Sequence, residues 1–80
     1  MDDRIRDVLS AVFRLNPTAI GEDLSSQGLA AWDSLKHMQV VVALEQEFGV
    51  EFEDAEIPRL LSFRGIRDVL RGKAPTPRGP

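Results

Sequence analysis

The sequence predicts an all-α fold: a four-helix bundle with a short third helix and a long loop between helices one and two. Three observations lead to this class. Apolar side chains recur at spacings of three and four in separate stretches of the chain, as on amphipathic helices. Proline or glycine follows each stretch. No stretch keeps the strict alternation of a half-buried strand.

The 80 residues suffice for one domain and not for two. We assign residues 1–72 to this domain. Residues 73–80 are rich in proline and glycine, so we expect them to form a flexible tail.

The first helix is predicted at residues 2–15. Its inward-facing side chains are Ile5, Val8, Leu9, Val12 and Phe13. Asn16 should lie beyond its end, because a residue before proline avoids helical geometry. The loop 16–33 has turn-forming residues but also carries apolar side chains, so we expect it to pack across the bundle. Trp32 would anchor this loop or contact a partner.

The second helix is predicted from Ser34 to Phe48, with Gly49 as its stop. Its wide apolar arc is typical of a central helix that has neighbours on several sides. A short third helix is expected around 54–61, and the last helix around 63–71. Ser62 is a suitable cap for this last helix.

Composition restricts the possible functions. The chain has no cysteine, which excludes disulfides and thiolate metal sites. Its one histidine, His37, argues against a histidine-based metal site and a Ser-His-Asp triad. The net charge of -3 argues against a nucleic-acid binder, because such proteins have a basic surface. We find no signal peptide or membrane span and expect a cytoplasmic protein without membrane insertion. The small core favours a carrier, adaptor or binding module over an enzyme.

Asp33-Ser34-Leu35 lies where the long loop meets the central helix. Here the sequence resembles the acyl carrier protein family, whose members have Asp-Ser-Leu or a close variant at this junction. Residues 43–48 are similar to the family's Ala-Leu-Glu-x-x-Phe at the end of helix two, and the resemblance covers roughly residues 2–71. The tripeptide alone is a weak signal, but in this setting it is a strong one.

The resemblance implies that a phosphopantetheinyl transferase moves 4′-phosphopantetheine from coenzyme A onto Ser34. The chain would be a monomeric carrier with no catalytic residue and no metal site. It would be loaded by an acyl or aminoacyl ligase and used by acyl-processing enzymes. Asp33 would assist the transferase, and it could cap the helix once Ser34 is esterified. Independently of the family, a helix N-terminus favours the negative charge of a phosphodiester.

Partner enzymes are expected to contact two groups of residues. The apolar candidates share a helix face beside the arm and are Leu35, Met38 and Val42. The charged candidates are Lys36, Glu45, Glu47, Glu53 and Asp54. The gap between helices two and three would either shelter the acyl chain or be a closed core. The residues expected to line it are Phe52, Ile57 and Leu60. We expect His37 on the surface near the arm.

Lys36 and Gln39 stand where carriers of fatty acid biosynthesis usually have acidic residues. This departure predicts a dedicated pathway, such as a specialised lipid, polyketide or aminoacyl route. Two alternatives stay open. One is an aminoacyl or peptidyl carrier loaded by an adenylating ligase. The other is a helical interaction module in which an unmodified Ser34 only caps the helix, at a cost of about 1 kcal/mol if it is removed. A hydrolase using Ser34 would lack a base and an orienting acid.

Overall fold

The computed structural model describes residues 2–73 and has three α-helices in that range: α1 (Asp2–Phe13), α2 (Ser34–Phe48) and α3 (Phe63–Gly72). Two short 3₁₀ helices accompany them, Pro17–Ala19 in the first loop and Ile57–Leu60 before α3. The described part of the chain contains no strand beyond one isolated bridge. The all-α prediction is therefore confirmed.

The short third helix of the prediction is a 3₁₀ helix and not an α-helix. It covers Ile57–Leu60 within the expected range 54–61. Pro58 lies in its first turn, where a missing N–H costs least. Its hydrogen bonds join residues three apart in sequence. The Arg59 N–H, for example, donates to the Glu56 carbonyl at 2.9 Å. The fold thus has three α-helices and one tighter turn where four helices were expected.

The helix ends follow local side-chain chemistry. The limits predicted for α2 are confirmed, and Gly49 ends it with φ 65°, a conformation that suits glycine. The predicted cap of α3 is also confirmed, because the Ser62 hydroxyl accepts the Gly65 N–H at 2.9 Å. The end of α1 comes two residues earlier than expected, since Arg14 turns into the left-handed region with φ 56°.

One apolar core joins all three helices. The side chains with no exposed surface include Ile5 and Leu9 of α1, Val40 and Leu44 of α2, and Phe63 and Ile66 of α3. Burying a side chain of this kind stabilises the fold by about 1.5–3 kcal/mol. None of the helices in residues 2–73 is both long and apolar enough to cross a membrane.

The long first loop packs against the core, as predicted. Trp32 is buried, and the centroid of its ring lies 5.1 Å from that of Phe13, so it anchors the loop. Backbone bonds tie the loop to the start of α3. The Ser26 N–H donates to the Leu61 carbonyl at 2.9 Å, and the Phe63 N–H donates to the Leu24 carbonyl at 2.9 Å. The loop therefore reaches across the bundle and is held in its middle and near its C-terminal end.

The predicted tail, residues 73–80, lies outside the described residues except for Lys73. The Lys73 ammonium is 2.9 Å from a carboxylate oxygen of Glu56. This ion pair holds the residue that follows α3 against the turn before Ile57–Leu60.

Candidate functional site

Ser34 is the first residue of α2, and its side chain is exposed. The helix cap is its neighbour Asp33, whose carboxylate accepts the Lys36 N–H at 2.9 Å. The expectation that Asp33 would cap only after Ser34 is esterified is therefore wrong, and so is the idea that Ser34 itself is the cap. The Ser34 hydroxyl has no hydrogen bond to any other described residue. It can be modified without removing the cap.

The start of α2 suits a negatively charged substituent on Ser34. The first amides of a helix have no intrahelical acceptor, and the helix dipole places partial positive charge there. Asp33 uses one of these amides through Lys36 N–H. The Ser34 side chain is exposed at this end of the helix, so a phosphodiester fits at this position.

A groove of about 610 Å³ opens beside Ser34. It lies between α2 and the 3₁₀ helix Ile57–Leu60, and Ser34 and Asp33 are part of its rim. Its apolar wall comes from Trp32, Met38, Ile57, Pro58 and Leu61. A substituent on Ser34 thus starts at the edge of an apolar surface.

His37 is buried, contrary to the surface position expected from the sequence, with 9% of its surface exposed. Its Nδ1 lies 3.1 Å from the Trp32 indole nitrogen, and its Nε2 lies 2.8 Å from the Ile57 carbonyl oxygen. An indole N–H only donates and a carbonyl only accepts, so Nδ1 accepts and Nε2 carries the hydrogen. The ring joins the loop, α2 and the second 3₁₀ helix. Sequence reasoning missed this role, although the only Trp and the only His stand five residues apart.

The three apolar partner candidates lie together on the outside of α2. Leu35 is 68% exposed, and Met38 and Val42 are each 48% exposed. Gln39 and Gln46 border the same shallow depression. The strip is uncharged, begins next to Ser34 and takes no part in the buried core.

Two of the charged candidates near the strip are held by other parts of the chain. The Lys36 ammonium lies 3.4 Å from the Val12 carbonyl at the end of α1. A cation there complements the helix dipole. The Glu47 carboxylate pairs with Arg4 at 2.9 Å. Both charges thus support the contact between α1 and α2 and are less available to a partner than the sequence suggested.

The other acidic candidates differ in their surroundings. Glu45 accepts the Phe52 N–H at 2.9 Å and so fastens the loop after α2. Glu53 and Asp54 are exposed. Of the four acidic candidates, these two are exposed and form no ion pair with another described residue, whereas Glu47 is exposed but paired with Arg4.

The residues expected to line a gap between helices two and three do not form one surface. Leu60 has no exposed surface and Phe52 is 9% exposed, so both belong to the core. Ile57 is partly buried and faces the groove beside Ser34. Of the two alternatives, a closed core describes this conformation.

The family model that describes a phosphopantetheine attachment site matches residues 3–71. Acyl carrier protein 2 of Pseudomonas aeruginosa is 34% identical over 79 residues, which cover 95% of this chain and 100% of that protein. The chain belongs to the acyl carrier protein family. It is accordingly a carrier and not an enzyme, and its cofactor is a covalently attached 4′-phosphopantetheine.

Other acyl carrier proteins match over most of the chain. Polyketide-8 synthase acyl carrier protein 2 of Streptomyces avermitilis is 27% identical over 71 residues, 89% of this chain and 82% of that protein. An acyl carrier protein of Campylobacter hominis is 31% identical over 64 residues, 80% of this chain and 81% of that protein. As a family member, the chain works with a phosphopantetheinyl transferase and with acyl-processing enzymes.

Proposed function

We propose that Ser34 is the residue that bears the 4′-phosphopantetheine arm, on which the chain presents acyl groups to its partner enzymes. The observation that carries this proposal is the division of tasks at the start of α2. Asp33 caps the helix, while the Ser34 hydroxyl is exposed and has no structural bond in the described part of the chain. When bound, the arm supplies a terminal thiol that holds an acyl group as a thioester.

The neighbouring residues serve this function by position. Asp33 keeps α2 capped before and after Ser34 is modified, and we propose that it also assists the transferase. The amides of the first turn stabilise the phosphodiester charge. Leu35 adjoins Ser34, and we propose that an enzyme that reaches the base of the arm contacts the uncharged strip Leu35, Met38 and Val42, which begins there.

The partners of this carrier are proposed to belong to a dedicated pathway. No acidic residue precedes Glu45 in α2, and Gln39 is exposed on the strip. An enzyme that recognises its carrier through a basic patch would find little to bind along this face. An aminoacyl cargo loaded by an adenylating ligase remains the alternative. A cytoplasmic, monomeric state also remains a prediction.

Intact-mass measurement tests the attachment site. The purified chain is incubated with coenzyme A, magnesium and a broad-specificity phosphopantetheinyl transferase. Ser34→Ala is run beside it, with Ser26→Ala as a control because Ser26 borders the same groove. We expect one phosphopantetheine on the wild type and on Ser26→Ala, and none on Ser34→Ala. A gain on Ser34→Ala would place the arm elsewhere. No gain on a folded wild type with several transferases would end the proposal.

A further inference from the structure

We propose that His37 closes the groove beside Ser34 toward the helical core, so that the carrier's cargo is a short acyl group held outside the core. This inference rests on the proposed attachment at Ser34. It deepens that function by naming a specificity-determining residue and the class of cargo.

The groove beside Ser34 is the opening through which a long acyl chain would approach the core. It runs between α2 and the 3₁₀ helix Ile57–Leu60, and its apolar wall invites a hydrocarbon chain. His37 spans this passage. From α2 its Nε2–H reaches the Ile57 carbonyl at 2.8 Å, while its Nδ1 accepts the Trp32 indole N–H at 3.1 Å. The imidazole thus ties together the two sides that would have to separate.

The groove and the core do not share their side chains. Val40, Leu44 and Leu60 have no exposed surface, and none of the fully buried side chains of the described residues lines the groove. Protein interiors of this kind are close-packed, so an incoming chain needs space that only movement of the walls can provide.

Movement of those walls would break both bonds of His37. It would leave the buried indole N–H of Trp32 and the partly buried carbonyl of Ile57 without protein partners. An unpaired polar group inside a protein is costly because it has lost its water as well. A hydrocarbon chain offers no donor or acceptor in return. A cargo that does not pass His37 leaves both of its bonds intact and avoids this cost.

The test compares short and long cargo on the full chain. The transferase loads Ser34 from acetyl-coenzyme A or from decanoyl-coenzyme A, intact mass confirms the loading, and the melting temperature of each form is measured. A chain that enters the core stabilises the folded state by binding to it. A tenfold stabilisation would raise the melting temperature by roughly 5–10 °C in a domain of this size. For the wild type we expect the acetyl and decanoyl forms to agree within about 1 °C.

Variants of His37 distinguish closure from a merely structural role. His37→Val removes both bonds, and its decanoyl form should melt several degrees above its acetyl form. His37→Gln restores a donor and an acceptor, so it should return the difference toward zero. Val69→Ala loosens the core on α3 away from the groove, so its melting temperature should not depend on the length of the acyl chain. If His37→Val does not fold, Trp32→Phe replaces it, since that change keeps an aromatic ring against Phe13 but removes the indole N–H that His37 accepts.

Hydroxylamine cleavage of the thioester gives a second readout. In wild type it should proceed at the same rate for both cargoes, and in His37→Val it should be slower for decanoyl. The proposal would be overturned if the decanoyl cargo raised the melting temperature of the wild type as much as that of His37→Val. So would a folded, loaded variant, His37→Val or its replacement, without any chain-length effect. A wild type that gains no mass would contradict the attachment at Ser34 itself, and that result is read separately from the melting temperatures.

Discussion

At the start of α2, Asp33 and Ser34 are both residues that commonly cap helices, yet only Asp33 has the extended backbone and the bond to Lys36 N–H. Ser34, one position later, is the first residue of the helix itself. This one-residue difference leaves an exposed hydroxyl free in the first turn of α2. At the residue scale, the site depends on which of two neighbours performs the structural task.

Replacing the two residues should therefore have unequal effects on stability. Asp33→Ala removes the cap and should lower the free energy of unfolding by about 1 kcal/mol. Ser34→Ala should change it by less than about 0.5 kcal/mol, as for other surface substitutions. Urea denaturation of the unmodified chain checks both values. Asp33→Asn keeps a capping oxygen and should remain close to the wild type. The reverse order of the two alanine variants would mean that Ser34 is the cap.

Arg14 has a strained backbone that a single substitution should relieve. Its φ of 56° lies in the left-handed region, and the Leu15 N–H behind it bonds to the Ser10 carbonyl at 3.1 Å, as at helix ends that usually carry glycine. Arg14→Gly should raise the free energy of unfolding by about 0.5–1 kcal/mol, since glycine adopts this conformation without a steric penalty. Arg14→Ala keeps the strain and should bring no such gain in the same denaturation series.

At the scale of elements, the 3₁₀ helix and α3 are joined by a close backbone approach. A β-carbon at position 65 would lie 2.0 Å from the Arg59 carbonyl oxygen. Gly65 therefore allows the first turn of α3 to rest on the end of Ile57–Leu60. Helix propensity alone would make a glycine at this position slightly unfavourable. The structure adds the reason for its presence, which is a contact with a different element.

Gly65→Ala should destabilise the protein although alanine is the better helix former. The overlap with Arg59 requires the two elements to separate, at a cost of about 1–3 kcal/mol. Gly72→Ala is the matched control in the same helix, because a β-carbon there meets no atom within 4 Å. Thermal unfolding of both variants checks this. Equal melting temperatures would show that the 3₁₀ helix yields without cost.

Across the whole molecule, ion pairs connect parts of the chain that are far apart in sequence. Arg67 of α3 bonds to Asp2 at 3.1 Å and also to Glu22 of the long loop. The hydrogen bond and then the positive charge of Arg67 hold the pKa of Glu22 below its ordinary value. The backbone N–H of Glu53 and then Lys73 lower the pKa of Glu56 in the same way. The Arg67 contacts join α1, the first loop and α3, and the Glu56 contacts join the turn before the second 3₁₀ helix to the end of α3.

Stability should consequently decline in acid. A carboxyl whose pKa is lowered by folding contributes stability above its unfolded pKa, near 4.5 for Glu22 and Glu56, and loses that contribution as pH falls below it. Urea midpoints should therefore drop between pH 6 and pH 3. The Glu22→Gln variant should show a shallower decline, and salt should reduce the difference because these groups face solvent. An identical pH profile for wild type and Glu22→Gln would contradict the role of this pair.

Contacts between distant elements also explain what could not be predicted. Glu47 was expected to contact partner enzymes, but it pairs with Arg4, which is 43 residues away in sequence. Lys36 was also expected to contact a partner, yet its ammonium reaches the Val12 carbonyl in another helix. His37 looked like a surface residue because no periodicity reveals a partner such as the Ile57 carbonyl, 20 residues further on. Each of these placements depends on how elements pack.

The sequence by itself determined the features that depend on neighbours within about one helical turn. These include the limits of α2, the stop at Gly49, the cap at Ser62 and the position of Ser34 at a loop-helix junction. Helical periodicity and capping are local interactions, so they can be read along the chain. Only the tertiary structure decided that His37 is buried and bonded to Trp32 and Ile57, and that Phe52 and Leu60 belong to a closed core. Burial and long-range hydrogen bonds arise when separate elements meet, and that information is not contained in any single stretch of sequence.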